Sequence, residues 1–500
     1  MQFTPISVKS APAYLPGPLL HGTATFILAV LTVCLLVCLS TGTAFSDTRS
    51  DNCGVPNIVF MLVDDMGWGD PDCFGHPYIK TPNLARLAKQ GTMFTQFYVN
   101  NPVCSPSRTA FMTGHYPARH RVHRHFSHEK HNRSCGMPNW LDPDVTTLPD
   151  LLKKAGYATA HFGKWHLSGG TMPNAPSPSE YGIDDHRTRT GSGPTWDVKG
   201  DPYFRAHSTG LFVDETIRFM KEHKDEPFYV NLWTLVPHAT LKPTPEELEA
   251  YRDLQLDADR FEGYMRTYVG RAPDPLSQAK VYFAAVTGMD RAFGRLLDAL
   301  DELGLTENTL IFFTSDNGPE DYHIGNARNA GLGSPGAMRG RKRAIYEGGV
   351  RTPCIVRWPG HVPAGRIDRE SVITAVDLLP TVCGLAGAEV PPIKPDGEDA
   401  GDVLLGKSRP RRKPIYWEWR GGVAGDPTYW PPALAIREGD WKLLINPDGS
   451  EAELYDVPND DAEQNNLAGK HPEIVERLSR KALSWKKTLP PGPAITRPKR

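Results

Sequence analysis

The sequence predicts an α/β layered fold, with a largely parallel central sheet flanked by helices and a smaller C-terminal antiparallel sheet plus one helix. Three observations carry this. Continuous apolar runs rich in β-branched residues recur, as in strands buried on both faces. Segments of helical spacing alternate with them, as crossover helices do in a parallel sheet. After about residue 405 the runs become short and closely spaced, which suits an antiparallel unit.

The first strand is Asn57-Ile58-Val59-Phe60-Met61-Leu62-Val63. Thr81 then Pro82 predicts an N-cap and first helical residue, with Leu84 and Leu87 inside the helix and Gly91 ending it. A helix over residues 148–155 stops at Gly156, and a strand over 157–162 follows. Residues 209–223 have helical spacing, and 228–235 reads as the next strand. Residues 277–303 form a long amphipathic helix, followed by a strand over 309–314. Arg409-Pro410-Arg411-Arg412-Lys413-Pro414 reads as a linker. Short strands at 415–419, 434–437, 441–445 and 452–455 and a helix over 472–485 complete the antiparallel unit. This divides the chain into a large domain over 53–405, a subdomain over 406–489 and a Pro-rich mobile tail over 490–500.

Residues 25–39 are nearly all apolar, too short a run for a membrane span, which needs ~20 residues. Small residues follow at Gly42-Thr43-Ala44, so residues 1–44 read as a secretory signal peptide; the alternative is an uncleaved N-terminal anchor. A secreted or periplasmic chain with no membrane span in its mature form is expected. The net charge of −2 excludes a general affinity for nucleic acid or membrane surfaces. Outside the leader stand Cys53, Cys73, Cys104, Cys135, Cys354 and Cys383, too sparse for a disulfide framework or a thiolate zinc site. One or two bridges stay open.

The chemistry gathers at strand ends. One strand runs into Asp64-Asp65, one into Lys164-Trp165-His166, one towards His238 and one into Asp316-Asn317. Loops at the carboxyl ends of neighbouring parallel strands converge, so four agreeing strands outline a site. Asp64, Asp65, Asp316 and Asn317 offer hard oxygen donors, which suit Ca²⁺ or Mg²⁺ better than Zn²⁺. Three carboxylates packed together would also repel one another without a cation. Cys104 stands just before Pro106, where a helix over 106–113 would present an anion-binding N-terminus. Arg108, one turn in, would hold the nucleophile or an anion oxygen; a surface salt bridge is the alternative.

Cys104-Ser105-Pro106-Ser107-Arg108, continuing to Thr113-Gly114, resembles the C-x-P-x-R…T-G signature of the type I sulfatases. Gly156-Tyr157-Ala158-Thr159-Ala160-His161-Phe162-Gly163-Lys164-Trp165-His166 resembles the second signature of that family. Ser315-Asp316-Asn317-Gly318 resembles its metal segment, and the stretch from Gly340 through Lys342 and Tyr346-Glu347-Gly348-Gly349 to Pro353 resembles a fourth. The resemblance spans roughly residues 55–490 and implies an alkaline-phosphatase-like fold. It also implies that Cys104 is oxidised to formylglycine by a formylglycine-generating enzyme during maturation. One Ca²⁺ would be held by Asp64, Asp65, Asp316 and Asn317, with modified Cys104 beside it. Arg108 and Lys164 would position the formylglycine hydrate. His166 would take a proton from its remaining hydroxyl. His238 and Lys342 would contact the sulfate and the bridging oxygen, and one of them would protonate the leaving group. Lys164 also belongs to the implied substrate contacts. His115 stands where many members have Arg, a position that supports the nucleophile's surroundings.

Between 115 and 133 lie His115, His120, His123, His125, His128 and His131, with Arg119, Arg121, Arg124, Arg133 and Lys130. Such a loop beside the nucleophile would recruit a polyanionic saccharide, or is simply solvated. Trp68, Trp196, Trp417 and Trp430 would stack on sugar rings or belong to the core. The pattern is most similar to carbohydrate sulfatases, including those related to N-acetylgalactosamine-6-sulfatase, and implies a sulfated glycan substrate. Two rivals remain at this level: a phosphate-ester or phosphonate hydrolase of the same superfamily, and an inactive secreted glycan-binding protein.

Overall fold

A computed structural model of the chain describes residues 54–492, apart from 171, 322–324, 391–394 and 422–429. The leader read over 1–44, Cys53 and the tail from 493 lie outside the described residues.

Strand β1 (Asn57–Asp64) is buried at every position, as its unbroken apolar run requires. Around it lie β2 (Thr92–Tyr98), β3 (Ala158–Lys164), β4 (Asp185–Arg189), β5 (Phe228–Pro237), β6 (Thr309–Ser315), β7 (Arg351–Arg357), β8 (Arg366–Asp368) and β9 (Ile373–Thr374). They form one sheet in the order β4-β3-β5-β1-β6-β7-β2-β8, with β9 also on β2. Pairings from β4 to β6 are parallel, while β7 runs antiparallel to both β6 and β2. The carboxyl ends of β1, β3, β5 and β6 therefore lie side by side.

Helices cover both faces. The helices α1 (Pro82–Gln90), α5 (Phe204–Glu222) and α6 (Pro275–Glu302) pack together on one side. The helices α2 (Cys104–Thr113), α4 (Leu148–Lys154) and α7 (Leu378–Ala386) pack on the other; a short helix, α3 (Glu129–Ser134), lies in the loop between α2 and α4. Strand alternation sorts the aromatics: Phe60 meets Phe111 of α2 at 5.1 Å between ring centroids, whereas Phe313 meets Phe293 of α6 at 6.1 Å.

Helix α1 spans Pro82 to Gln90 and its last turn is followed by Gly91, as expected, but Thr81 does not cap it. The Thr81 hydroxyl donates to Asp72 at 2.8 Å instead. The open N–H groups of Asn83 and Leu84 donate to Asp290 of α6, at 3.0 and 2.8 Å. A buried carboxylate from another helix thus does the work of a local cap.

The C-terminal unit is a four-stranded antiparallel sheet, β10 (Ile415–Glu418), β11 (Leu434–Glu438), β12 (Trp441–Ile445) and β13 (Glu453–Asp456), with α8 (Pro472–Lys487) against it. It is fastened to the large sheet by buried polar contacts. The Lys442 ammonium sits 2.8 Å from Glu347 and 2.9 Å from Glu463, and Tyr98 of β2 donates to Glu347 at 2.6 Å. Arg437 donates to Gln96 at 2.6 Å. The expected linker has no regular structure but is tied down: Arg409 pairs with Glu398 and Asp402, and Arg411 with Asp377.

Among the described residues Cys73, Cys104, Cys135, Cys354 and Cys383 are free thiols, so none of the bridges left open by the sequence forms between them. No described helix is long and apolar enough to cross a membrane.

Candidate active site

The carboxyl end of the sheet holds a cavity of about 300 Å³. Seven residues singled out from sequence line it: Asp64, Cys104, His125, Lys164, His166, His238 and Lys342. Asp65, Arg108, Asp316 and Asn317 stand behind that wall, each at most 1% exposed. The Asp64, Cys104 and Asp316 ligand atoms all lie within 4.8 Å of one another.

Local backbone geometry puts these side chains in place. Asp65 (φ 68°) and His166 (φ 57°) both adopt the left-handed region just past their strands, as do Thr190 (φ 56°) and Arg343 (φ 74°) on the cavity wall. Each such non-glycine residue costs about 1–2 kcal/mol, and the surrounding packing must hold it there. Gly163, one residue before Lys164, has φ 120°, and a Cβ there would lie 1.9 Å from the Trp233 carbonyl oxygen. Only glycine lets β3 pass so close to β5. The ends of β1 and β6 are tied together: the Asp65 N–H donates to Asp316 at 3.1 Å, and the Met66 N–H to the Ser315 hydroxyl at 2.9 Å.

Cys104 opens α2, as the helix-terminus reading requires, with the helix starting two residues earlier than expected. Burial pushes its thiol upward, with Lys164 and Lys342 offsetting only part of the effect. The encoded cysteine is therefore a protonated, poorly nucleophilic thiol at neutral pH.

Four acids face four cations here. Lys164 Nζ lies 2.8 and 2.7 Å from the two Asp64 oxygens. Lys342 Nζ lies 2.6 Å from Asp65 and 3.4 Å from Glu320, and Arg343 pairs with Glu320 as well. Arg108 donates from Nε and Nη2 to Asp316 at 3.0 and 2.7 Å, and from Nη1 to the Lys164 carbonyl at 2.8 Å. It is fully buried, which removes the surface salt-bridge alternative. Repulsion between the acids alone thus does not demand an ion, contrary to the expectation from sequence.

Two other observations fit one. Asn317 donates from Nδ2 to Asp65 at 2.7 Å, while its buried Oδ1 has no hydrogen-bond partner among the described residues. Burial and then Asp64 push the Asp316 carboxyl up to about 7, whereas Lys164, His238, Arg108 and Lys342 outweigh burial and hold Asp64 well below the usual carboxylate range. A divalent ion among these oxygens would satisfy Asn317 Oδ1 and displace the Asp316 proton. Asp65, His238 and Glu320 form a second convergent group, but Lys342 already contacts two of its members.

The two histidines differ in which nitrogen is committed. His166 Nε2 lies 3.0 Å from the Phe126 carbonyl, so it carries the proton, and buried Nδ1 is left without a partner. Burial and then Lys164 hold the ring neutral. His238 is about one-third exposed and donates from Nδ1 to the Ala239 carbonyl at 2.7 Å, turning Nε2 to within 3.7 Å of Asp65.

Sequence reasoning missed several wall residues: Val103, Thr190, Arg205, Leu235 and Arg343, together with Glu320 behind them. Arg205 braces the His238 loop by donating to the Leu235 and Ala239 carbonyls at 2.9 and 3.0 Å. It lies in the first turn of α5, away from any strand end. Glu320 follows Asn317 by three residues, and that spacing was its available signal.

The basic loop divides. His125 lines the cavity, and the Phe126 N–H anchors the loop to the Ser105 hydroxyl at 2.9 Å. Arg119 pairs with Asp396 and Arg133 with Glu129. His115 is not near the nucleophile: it follows the far end of α2, about 15 Å along the axis, and its ring meets His120. The tryptophans serve packing: Trp68 meets Phe74, Trp196 meets Phe212 and Trp417 is fully buried; neither they nor Trp430 line the cavity.

Comparison with known proteins gives the family. The family model described as Sulfatase matches residues 56–388, and the one described as N-sulphoglucosamine sulphohydrolase, C-terminal, matches residues 340–487. This chain belongs to the sulfatase family, a family of sulfuric ester hydrolases. It is 35% identical to the N-acetylgalactosamine-6-sulfatase of Sus scrofa over 74% of this chain and 69% of that protein. It is 28% identical to the N-acetylgalactosamine-6-O-sulfatase of Bacteroides thetaiotaomicron over 86% of this chain and 93% of that protein. The crystal structure of Ps i-CgsB in complex with k-i-k-neocarrahexaose superimposes with a TM-score of 0.70 at 25% identity, covering 86% of this chain and 93% of that one. The sulfatase's fold is accordingly alkaline-phosphatase-like, as the sequence resemblance implied.

Proposed function

We propose that this sulfatase removes sulfate from a sulfated carbohydrate, using Cys104 in its formylglycine form as nucleophile and one Ca²⁺ as partner. The observation that carries this reading is the convergence of Asp64, Cys104 and Asp316 at the head of a buried helix. The similarity to N-acetylgalactosamine-6-sulfatases supports the sugar as substrate class.

As a hydrated aldehyde, residue 104 carries two hydroxyls on one carbon, one to attack sulfur and one to expel the sulfate afterwards. Asp64, Asp65, Asp316 and Asn317 would hold the Ca²⁺, whose chemistry there would be charge neutralisation and polarisation of the sulfate. Arg108 keeps Asp316 and the end of β3 in position. Lys164 holds the nucleophile's surroundings and contributes positive charge to the substrate. His166 accepts the proton of the second hydroxyl at its open Nδ1. Lys342, kept protonated against its burial by Asp65 and Glu320, gives the proton to the leaving oxygen, and His238, with Nδ1–H committed to Ala239, turns its acceptor Nε2 toward the substrate. A signal peptide over residues 1–44 directs the chain out of the cytoplasm, and the catalytic portion over 53–405 is completed by 406–489.

The test is a sulfate-release screen across defined sulfated oligosaccharides, run beside matched aryl sulfate and aryl phosphate. Release from at least one sugar sulfate, with aryl phosphate much slower, supports the proposal. Faster phosphate cleavage overturns it in favour of a phosphorus hydrolase. Mass spectrometry of the Cys104 peptide must show the aldehyde rather than the thiol.

A further inference from the structure

The catalytic cavity does not account for a second, larger one at the opposite end of the sheet. Its volume is about 940 Å³, within the range of ligand sites. Arg357 ends β7 and pairs with Ile311, four positions before Ser315 at the catalytic end of β6. The two cavities are therefore separated by at least about 13 Å along the strands.

Arg357 lines this cavity and is 2% exposed, yet its Nε and Nη1 have no hydrogen-bond partner among the described residues. A buried guanidinium without a partner is costly, because burial removes its hydration and nothing replaces it. Burial accordingly lowers its pKa, partly offset by Asp301. The buried Oε1 of Gln90, on the same wall, also lacks a partner. Lys89 is exposed at the rim, and His361 stacks on Trp358 with 3.9 Å between ring centroids. Arg86 is already paired with Asp298 and Asp301, and Glu307 adds one acid to the lining. Lys89 and Arg357 are thus the cations of the lining without an ion pair among the described residues, and Glu307 is the acid without one.

We infer that this cavity is a non-catalytic anion site that grips one sulfate group of an extended glycan, with Arg357 as its buried anchor. The ligand class rests on the proposed carbohydrate-sulfatase function. A guanidinium edge matches two oxygens of a tetrahedral oxyanion, Gln90 accepts from a sugar hydroxyl, and Lys89 supplies charge at the entrance. Holding one part of a polymer here raises the local concentration of its other sulfates near the enzyme.

The test uses Cys104→Ala protein, so that ligand is not consumed. It is titrated calorimetrically with a sulfated hexasaccharide, the same hexasaccharide after chemical desulfation, and sodium sulfate. We expect two hexasaccharide sites per chain, reduced to one by Arg357→Gln. Lys89→Glu, at an exposed position, should weaken the second site at least about fivefold and carries the test should Arg357→Gln fail to fold. Desulfated sugar should leave the second site empty, and sodium sulfate should bind it more weakly than the hexasaccharide. Unchanged stoichiometry and affinity in the folded variants overturn the inference, as does equal binding of the desulfated sugar. Sodium sulfate binding as tightly as the hexasaccharide overturns the glycan assignment in favour of a free-ion site. Loss of all sugar-sulfate release with Arg357-dependent binding intact would fault the catalytic reading and leave this one standing.

Discussion

Arg108 and Asp316 meet at 2.7 and 3.0 Å in complete isolation from solvent, although they come from opposite faces of the chain's sequence order. The pair locks the nucleophile's helix to the end of β6. Removing one partner strands the other charge, so Arg108→Ala should cost about 3–5 kcal/mol. Arg108→Ala with Asp316→Asn should recover part of that loss, because the stranded charge is gone. Urea unfolding of the four proteins checks this. A single Arg108→Ala loss below about 1 kcal/mol would show that the pair does not hold the site together.

Cys104→Ser keeps one hydroxyl and lacks the second. We expect it to accept one sulfate group and stop, with multiple turnover down at least ~10³-fold. Intact mass after incubation with substrate should show a stable sulfo adduct. Repeated turnover by the serine variant would refute the two-hydroxyl scheme.

Ion dependence should appear in stability as well as rate. With Ca²⁺ at a hundred times its Kd, the folded state gains about 2.7 kcal/mol, so a chelator should lower the thermal midpoint. Asn317→Ala removes the oxygen that has no other partner, and should raise the Ca²⁺ concentration needed for this stabilisation by on the order of 10-fold. An identical Ca²⁺ response in this variant would remove Asn317 from the ligand set.

The buried trio Glu347, Lys442 and Glu463 sets a pH dependence away from the active site. Burial is the largest influence on Glu463, and its carboxyl is pushed up to about 7, while Lys442 and Arg351 outweigh burial and hold Glu347 down to about 2. A raised carboxyl contributes stability that is complete below its unfolded value near 4.5 and lost as pH rises through about 7. Glu347 acts oppositely, losing its contribution as pH falls through about 2. Between pH 4.5 and 7 the Glu463 effect governs this trio. Glu463→Gln should therefore flatten the decline in unfolding free energy from pH 5 to 8 by about 2–4 kcal/mol. Denaturant curves across that range decide it, and an unaltered slope would count against the assignment.

The strands that carry the site were legible because burial on both faces leaves an unmistakable apolar run, as in β1, β5 and β6. Their polar endings then located the cavity. Strands β4 and β7 carry weaker signals. Asp185–Arg189 is wholly polar, as an edge strand can be. Arg351–Arg357 begins and ends in arginine, and its Pro353 falls where the pairing of β2 shifts register between Phe94 and Phe97. Within the site, residues on regular strand ends were readable. Thr190, Arg205 and Arg343 were not, because long-range packing rather than local pattern brings them to the wall. The charge balance was misjudged for a similar reason. Arg108, Lys164 and Lys342 were named from the sequence, but their one-to-one pairing with Asp316, Asp64 and Asp65 is set by long-range packing that the sequence does not display.

Every residue of Cys104–Thr113 is buried in the finished structure, and the loop just before it is held by the last fifth of the chain. Asn101 donates to the Glu418 carbonyl, and Trp417 to the Val99 carbonyl at 2.7 Å. If Cys104 is converted as proposed, the modifying enzyme would have to reach it before folding seals this segment from solvent.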